Sequence, residues 1–400
     1  MRGGAPPAVR RVTSGRYVEV PHPWRAAIDV TSRHPARFYA GLIGQTLRCG
    51  LPARRRFGPA LAMAARTGLP EGPVARALIV RRRRERSDLD ALLSDVETAW
   101  PSLAERLPQL PRSAPRLAAL ALHRRAALTV FVFGERAQPL LVLKVPAAGD
   151  TRVDTELAAL EEAEPVRVAP RSLGRIGEAR VQEALAGSAL RAEPLTPELA
   201  ERLRWGPELA ELWAALARLS AGTAKPGAPD QLDHWLRAAG ESGLLSSRAS
   251  GLLDAARRDI ARLEVCVLEH RDTSPQNCLI EGGRLSGLVD WENGYSRGGP
   301  GLDVWNVALA WLEVGVGLLR WSEELVEEAF RRAWAASPFY GEARRAARAA
   351  ATAAGVPDRF HDALELAFFG RRLGSRAKSP AAFPTGPGTA ARMLESVCRS

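Results

Sequence analysis

Cysteine is scarce in this chain. Only four cysteines occur among 400 residues, and they lie far apart, with no spacing typical of metal ligands. The sequence therefore excludes a disulfide-stabilised scaffold and a cysteine-based metal centre. We expect four free thiols in a reducing cytoplasm. These are Cys49, Cys266, Cys278 and Cys398.

Long apolar runs are also missing. Residues 1–20 contain no continuous apolar segment of the kind found in a signal peptide. The stretch from Val304 to Trp321 has the length of a membrane span, but Asn306 and Glu313 interrupt it. Because a charged group in lipid is costly, we predict a buried core helix there and no transmembrane segment. Both observations favour a cytoplasmic protein.

Lysine is the scarcest charged residue, with three lysines against 53 arginines. The formal net charge of +11 would suit a nucleic acid or an anionic membrane as partner. The arginines are scattered, however, and form runs only at Arg54–Arg56 and Arg81–Arg84. We interpret these runs as solvated surface and do not expect a nucleic-acid partner.

One segment places four polar residues at a spacing typical of phosphoryl transfer. It reads Leu268-Glu-His-Arg-Asp-Thr-Ser-Pro-Gln-Asn277, followed by Gly287-Leu-Val-Asp290-Trp-Glu292. His270, Asp272, Asn277 and Asp290 thus follow the pattern H-x-D-x4-N-x12-D. Apolar residues before the loop and a turn at Gly282-Gly283 predict strands on either side. We therefore expect these side chains to converge at one end of a hairpin.

The chemistry of phosphoryl transfer requires these residue types. Catalysis rests on positioning and on neutralising oxygen charge with Mg²⁺, which prefers hard oxygen ligands. Asn277 and Asp290 supply such ligands. Asp272 is the candidate catalytic residue, because a carboxylate there can orient an acceptor hydroxyl and receive its proton. We expect His270 to brace the loop.

These residues resemble the aminoglycoside phosphotransferase family of small-molecule kinases, which has a loop H-G-D-x-x-x-x-N and a following D-W-E. The resemblance implies an α+β, two-lobed, protein-kinase-like fold, with a small β-rich N-lobe and a larger, mostly helical C-lobe. It also implies Mg²⁺ as cofactor and ATP or GTP as co-substrate. Arg271 departs from the family, because it stands where glycine is usual. This departure leaves the acceptor side of the loop undetermined.

A lysine and a glutamate upstream correspond to further parts of the family. Two apolar segments predict paired strands, and Lys144 lies in the second, Leu141-Val-Leu-Lys-Val145. In the family, a lysine on this strand holds the α- and β-phosphates. Glu156, on a helix predicted downstream, is a candidate ion-pair partner for it. Glu161 and Glu162 remain alternatives, and a solvated acidic helix face fits equally well.

The segment Val181–Leu190 resembles the hinge of the family, since an apolar strand leads through Glu and Leu to a glycine. The resemblance implies that backbone groups of Glu183, Ala184 and Leu185 contact the purine. The pattern is weak when taken alone. Its place in the order of motifs supports the interpretation.

A glycine-rich loop over the phosphates is missing. The segment His123-Arg-Arg-Ala126, between the first two kinase strands, contains no glycine that would let backbone amides approach a phosphate. Two interpretations remain open. Either Arg124 and Arg125 supply positive charge instead, or the nucleotide site is degraded.

Asp303 follows the metal strand and begins an apolar helix. By resemblance, it fixes the catalytic loop through hydrogen bonds. We predict three regions: 1–105, an N-terminal extension of unknown role, expected to be partly helical; 106–187, a nucleotide-binding N-lobe; and 188–400, a helical catalytic and acceptor-binding C-lobe.

We therefore predict a Mg-dependent phosphotransferase that moves the γ-phosphate of ATP or GTP to a hydroxyl of a small molecule. The alternative is a catalytically weak kinase-like protein that acts as a nucleotide- or partner-binding module. A protein kinase is less favoured, because the path from Asp290 to Asp303 is too short for an activation segment. Residues 301–400 lack the clustered carboxylates that a polycation requires, which argues mildly against aminoglycosides as acceptors.

Overall fold

The computed structural model describes residues 10–12, 17–20, 26–29, 91–115, 117–123, 127–133, 139–146, 151–189, 207–274, 277–315, 338–378 and 387–399. The chain divides into two compact units. The first comprises Met1–Leu157 and Pro170–Ala186, and the second comprises Ala158–Ala169 and Gly187–Ser400. Helix α2, Arg152–Ala163, contributes residues to both units.

The described residues of the first unit form an antiparallel sheet in the order β1-β2-β3-β4-β5-β6-β8-β7. Its strands are β1 (Arg10–Val12), β2 (Tyr17–Val20), β3 (Ala26–Asp29), β4 (Ala118–His123), β5 (Ala127–Phe133), β6 (Pro139–Pro146), β7 (Ser172–Ile176) and β8 (Ala179–Glu183). Part of the N-terminal extension thus joins the same sheet as the predicted kinase strands. A helix, α1, covers residues 91–106.

Helix α1 and the sheet share one hydrophobic core. Apolar residues recur in α1 every three or four positions and pack with the strands. The core includes Leu93, Val96, Trp100, Leu103, Val130, Val132, Leu141 and Leu143. Side chains alternate along β6, so Leu141 and Leu143 enter this core while Lys144 lies on the opposite face of the sheet. The alternation of side chains along β6 therefore places the charged side chain of Lys144 on the face of the sheet away from this core.

The second unit is mostly helical. Its elements are β9 (Ser188–Ala189), α3 (Pro207–Gly222), β10 (Lys225–Pro226), α4 (Leu232–Gly240), α5 (Ser247–Ile260), β11 (Val265–Glu269), β12 (Cys278–Glu281), β13 (Arg284–Leu288), β14 (Tyr295–Gly298), α6 (Leu302–Gly315), α7 (Pro338–Ala353), α8 (His361–Lys378) and α9 (Pro387–Val397). The strands form two small antiparallel sheets, β10-β11-β14 and β13-β12-β9.

Helix α8 is central to the core of the second unit, where it packs against α4, α5 and α9. Gly374 lets α8 approach α4 closely, since a Cβ at this position would lie 2.1 Å from the carbonyl oxygen of Trp235. Helix α6 contributes buried residues, including Val304 and Trp305. Within the described ranges, no helix is both long and apolar enough to cross a membrane.

The order of a β-rich unit followed by a helical unit confirms the predicted α+β class. The hairpin β12–β13 lies where the sequence predicts it, with its turn at Gly282-Gly283. Cys266, Cys278 and Cys398 are buried free thiols, and Cys49 lies outside the described residues.

Candidate active site

The strand β11 and the hairpin β12–β13 position the predicted catalytic loop. The loop leaves β11 after Glu269, and Asn277 directly precedes β12. The backbone N–H of Val289 donates to the carbonyl oxygen of Asn277 over 2.9 Å. This bond holds Asn277 beside the end of the hairpin that carries Asp290. The structure therefore brings Asn277 and Asp290 to the same end of one hairpin.

Asp303 holds the start of the loop. The backbone N–H of His270 donates to Oδ2 of Asp303 over 2.6 Å, and that of Arg271 donates to Oδ1 over 2.9 Å. The hydroxyl of Thr273 donates to the backbone carbonyl of Asp303 over 3.0 Å. Burial raises the pKa of Asp303, and these amide hydrogen bonds oppose that rise by stabilising the carboxylate. A helix start and a loop 30 residues earlier in the chain are thereby joined.

His270 is fully buried and bonds to the backbone on both sides of its ring. Its Nε2 lies 3.0 Å from the carbonyl oxygen of Val289, and its Nδ1 accepts the N–H of Asp272 over 3.3 Å. These partners assign the ring proton to Nε2. Desolvation by burial lowers the pKa of His270, so the ring is neutral at neutral pH. The ring also packs on Trp291, with centroids 4.4 Å apart.

The backbone of Asp272 is fixed on both sides. Its N–H donates to His270, and its carbonyl oxygen accepts a hydrogen bond from Nδ2 of Asn277 over 2.9 Å. Its carboxylate, in contrast, has no hydrogen-bond or ion-pair partner among the residues that the structure describes. Asp272 is half-buried. The loop thus presents a positioned carboxylate that can accept a proton.

Asn277 and Asp290 fit a divalent cation by their donor atoms. Because the amide nitrogen of Asn277 donates to Asp272, its Oδ1 is the side-chain atom left for another contact. Asp290 has a left-handed backbone, with φ of +69°, and precedes the short 3-10 turn Trp291–Asn293. A non-glycine residue in this conformation is uncommon and often functional. Both side chains provide hard oxygens of the kind that Mg²⁺ prefers.

The first unit contains a buried ion pair. Nζ of Lys144 on β6 lies 2.6 Å from Oε1 of Glu156 on α2, and both side chains are largely buried. The structure thus brings together the two residues that the sequence suggested as partners. Of the two alternatives, Glu161 is exposed and Glu162 pairs with Lys225 over 2.7 Å.

A second cation lies beside this pair, and the sequence did not indicate it. Arg180 on β8 is the cross-strand neighbour of Lys144, so the two side chains share one face of the sheet. Its guanidinium is buried and pairs with Asp154 of α2. With the pair between Arg175 on β7 and Asp154, over 2.8 Å, three ion pairs attach α2 to the sheet, and one of them includes Lys144. The available sequence signal was only the presence of an arginine just before Val181–Leu190, the segment that resembles the hinge.

The predicted hinge residues follow β8. The strand ends at Glu183, and residues 184–186 have no regular structure. The N–H of Glu183 donates to the carbonyl oxygen of Arg171 over 2.9 Å, and its carboxylate accepts from the N–H of Arg171 over 3.1 Å. The N–H of Glu183 is therefore occupied, and a purine would use the remaining backbone groups of Glu183, Ala184 and Leu185. Arg124 and Arg125 lie outside the described residues.

The loop and hairpin, together with the order of a β-rich and a helical unit, define the class of kinase-like phosphotransferases. The chain matches the model of the phosphotransferase enzyme family, APH, over residues 122–350, which is more than half of its length. It belongs to this family, and the predicted protein-kinase-like fold is confirmed.

Solved structures of low sequence identity are similar to this chain. An ADP-bound aminoglycoside phosphotransferase APH(2'')-Ib is 13% identical, with 75% of this chain and 97% of that chain covered and a TM-score of 0.37. A choline/ethanolamine kinase family protein from Mesorhizobium loti is 16% identical, with 77% and 100% covered and a TM-score of 0.37. The macrolide 2'-phosphotransferase MphH from Brachybacterium faecium is 17% identical, with 74% and 97% covered and a TM-score of 0.36. No curated protein matches the chain.

We expect Asp303→Asn to lower the free energy of unfolding by about 1–3 kcal/mol, because the amide NH₂ would face a buried N–H of His270 or Arg271 that then lacks an acceptor. Urea denaturation measures this loss. Asp254→Asn is the matched control, since its side chain is 61% exposed and the change there should stay within about 0.5 kcal/mol. Equal stability of Asp303→Asn and the parent protein would contradict the role of Asp303 as the anchor of the loop.

Proposed function

We propose that this protein is a Mg-dependent phosphotransferase that moves the γ-phosphate of ATP or GTP to a hydroxyl of a small molecule. One observation carries the proposal. Asp272, Asn277 and Asp290 come together around a loop that Asp303 anchors, while the carboxylate of Asp272 remains without a partner among the described residues. A fixed loop with an open carboxylate beside two hard oxygen donors suits phosphoryl transfer.

Each residue has a proposed role in the reaction. The acceptor oxygen forms a bond to Pγ while the bond from Pγ to the bridging β–γ oxygen breaks. The acceptor proton passes to the carboxylate of Asp272, and the charge remains on the departing nucleoside diphosphate. Asn277 and Asp290 would hold Mg²⁺, which neutralises phosphate charge when bound. His270 and Asp303 keep the loop in place.

The nucleotide side of the proposal rests on the first unit. Lys144 would contact the α- and β-phosphates, and its ion pair with Glu156 would hold the ammonium group in place. The backbone of Glu183, Ala184 and Leu185 would bind the purine. Arg124 and Arg125 would supply positive charge where the family has a glycine-rich loop.

A second candidate function is a catalytically weak nucleotide- or partner-binding module. The segment His123-Arg-Arg-Ala126 favours it, since no glycine there allows a close approach of backbone amides to phosphate. The buried thiols of Cys266, Cys278 and Cys398 support action in a reducing cytoplasm under either proposal.

Nucleotide binding should be detectable as thermal stabilisation. We expect Mg-ATP or Mg-GTP at 100 times its dissociation constant to stabilise the protein by about 2.7 kcal/mol. The variant Arg124→Ala/Arg125→Ala should weaken this binding if the two arginines contact phosphate. A control double variant is Arg262→Ala/Arg284→Ala, whose parent side chains are 73% and 83% exposed. Its nucleotide affinity should equal that of the parent protein.

The outcomes separate the candidate functions. If millimolar ATP and GTP cause no shift in the presence of Mg²⁺, the phosphotransferase proposal is wrong. If the nucleotide binds but no ADP or GDP is released with any hydroxylated acceptor, the binding-module function is favoured.

A further inference from the structure

Arg271 has an unusual backbone conformation directly beside the proposed catalytic carboxylate. Its φ is +65°, in the left-handed region that glycine adopts far more easily than other residues. This conformation costs an L-residue about 1–2 kcal/mol. The residue is also the one departure from the family's catalytic loop. The geometry of the loop alone therefore does not explain why an arginine occupies this position.

The side chain of Arg271 lies in a set of contacts from three other positions. Its Nε lies 3.2 Å from Oε2 of Glu269, and its Nη1 donates to Oε1 of Gln231 over 3.2 Å. The guanidinium carbon lies 3.8 Å from the ring centroid of Tyr295, which is a cation–π contact. These contacts hold the guanidinium in one orientation, so that little side-chain entropy remains to be lost when a ligand binds.

Glu269 is the buried centre of this cluster. Its carboxylate lies 2.5 Å from Nη1 of Arg371 on α8 and accepts the N–H of Gly299 over 2.6 Å. A Cβ at Gly298 would lie 2.2 Å from Cγ of Glu269, so only glycine leaves room for this side chain. Burial favours a raised pKa, but the guanidinium groups of Arg371 and Arg271 outweigh it and hold the pKa of Glu269 below its ordinary value.

The side chains of Glu269, Arg271 and Arg371 carry one negative and two positive charges, and the nearby carboxylate of Asp303 is bound by the backbone N–H groups of His270 and Arg271. The negative charge is enclosed, since the side chain of Glu269 is only 1% exposed, whereas those of Arg271 and Arg371 are 22% and 13% exposed. Within the described part of the chain, Nη2 of Arg271 and both Nε and Nη2 of Arg371 have no hydrogen-bond or ion-pair partner. These nitrogen atoms can therefore donate hydrogen bonds to a ligand, but they cannot accept them.

An exposed carboxylate, that of Asp230, borders the cluster at Tyr295. Asp230 accepts a hydrogen bond from the hydroxyl of Tyr295, and its Oδ2 lies 3.0 Å from Nε of Arg297. Arg297 thus offsets the negative charge of Asp230. Glu269 and Asp230 are thus both paired with arginines, while the carboxylate of Asp272 has the proposed role of accepting the acceptor proton.

We propose that Arg271, together with Arg371, binds an oxyanion of the acceptor, so that the substrate is a hydroxyl compound that also carries a carboxylate or a phosphate group. The inference rests on the proposed function, because it takes the residue next to the proposed base as part of the acceptor site. Planar guanidinium groups bind carboxylate and phosphate through paired hydrogen bonds. Arg271 then determines specificity by charge.

Four sugars of matched shape test this proposal, namely glucuronate, glucose 6-phosphate, glucose and glucosamine. Their kcat/KM values with Mg-ATP or Mg-GTP are compared for the parent protein, Arg271→Gly and Arg371→Gln. Glycine adopts the backbone of residue 271 without strain, so the loop should keep its conformation. The control is Arg348→Gln, since Arg348 pairs with Asp362 on the surface, outside the cluster.

We expect the parent protein and the control to prefer glucuronate or glucose 6-phosphate over glucose and glucosamine by about tenfold or more, a factor typical of one charge-assisted contact. Arg271→Gly should lose this preference through a higher KM for the anionic sugars, with the KM for nucleotide unchanged. The carboxylate and phosphate sugars show which oxyanion is bound. A preference for glucose or glucosamine, or an anion preference that survives in Arg271→Gly, would overturn the proposal.

A binding measurement separates failure of this inference from failure of the proposed function. Calorimetric titration with glucuronate and glucose 6-phosphate needs no turnover. If no nucleotide binds and no sugar is phosphorylated, the proposed function fails, while anion binding that Arg271→Gly abolishes still supports the site. If neither anion binds the parent protein, the anion site is wrong even if phosphoryl transfer occurs.

Discussion

Asp290→Asn is expected to lower kcat by about 10³-fold or more, which corresponds to roughly 4 kcal/mol of transition-state stabilisation. The reason is the proposed role of Asp290 as a metal ligand, since an amide is a poorer ligand for Mg²⁺ and carries no charge. The substitution is nearly isosteric, and the residue has a left-handed backbone, which asparagine tolerates. Steady-state kinetics with saturating nucleotide measure the loss.

The control makes the same chemical change at an exposed position. The side chain of Asp358 is 93% exposed, so Asp358→Asn should leave kcat unchanged. Circular dichroism and thermal unfolding establish that both variants are folded. Parent-like turnover of a folded Asp290→Asn variant would remove Asp290 from the proposed metal site.

The second large effect is expected at Asp272. As the proposed base, Asp272→Ala should lower kcat by about 10²–10⁴-fold while Mg-nucleotide affinity stays within a few-fold of the parent value. The variant should fold normally. The carboxylate of Asp272 has no partner among the described residues, so its removal leaves none of them with a broken hydrogen bond or ion pair. Isothermal titration and single-turnover kinetics separate binding from chemistry.

The variant to compare with Asp272→Ala changes residues that are proposed to bind the nucleotide. Removing Lys144 alone would take an ion-pair partner from the carboxylate of Glu156, which is 3% exposed, at a cost of about 3–5 kcal/mol in stability. Lys144→Met/Glu156→Gln removes both charges and avoids this penalty. We expect the double variant to lose nucleotide affinity. If it binds nucleotide normally and Asp272→Ala does not, the acceptor and nucleotide roles have been assigned to the wrong residues.

The arrangement of the proposed catalytic loop could be predicted from sequence because its parts are close along the chain. His270, Asp272 and Asn277 occupy one loop between two apolar strands, and Asp290 ends the next strand. Strand periodicity and a glycine turn are enough to bring such residues to one end of a hairpin. Asp303 follows Asp290 after a short further segment of chain. Its carboxylate accepts hydrogen bonds from the backbone N–H groups of His270 and Arg271, the first two residues of the loop.

The choice of the lysine's partner needed the structure. Glu156, Glu161 and Glu162 lie on one predicted helix, and the sequence does not specify which side of that helix faces the sheet. The packing of α2 buries Glu156 beside Lys144, leaves Glu161 exposed and directs Glu162 to Lys225. Helical phase relative to a sheet is a tertiary property.

By itself, the sequence determined the class of the protein, the hairpin with its polar loop and the position of Lys144 on an apolar strand, because each depends on residues near one another in the chain. Only the tertiary structure decided what surrounds Arg271. Its partner Glu269 precedes Arg271 by two residues. Arg371 lies 102 residues after Glu269 and reaches the carboxylate of Glu269 through the packing of α8. Long-range contacts of this kind follow from how helices pack, and no local pattern encodes them.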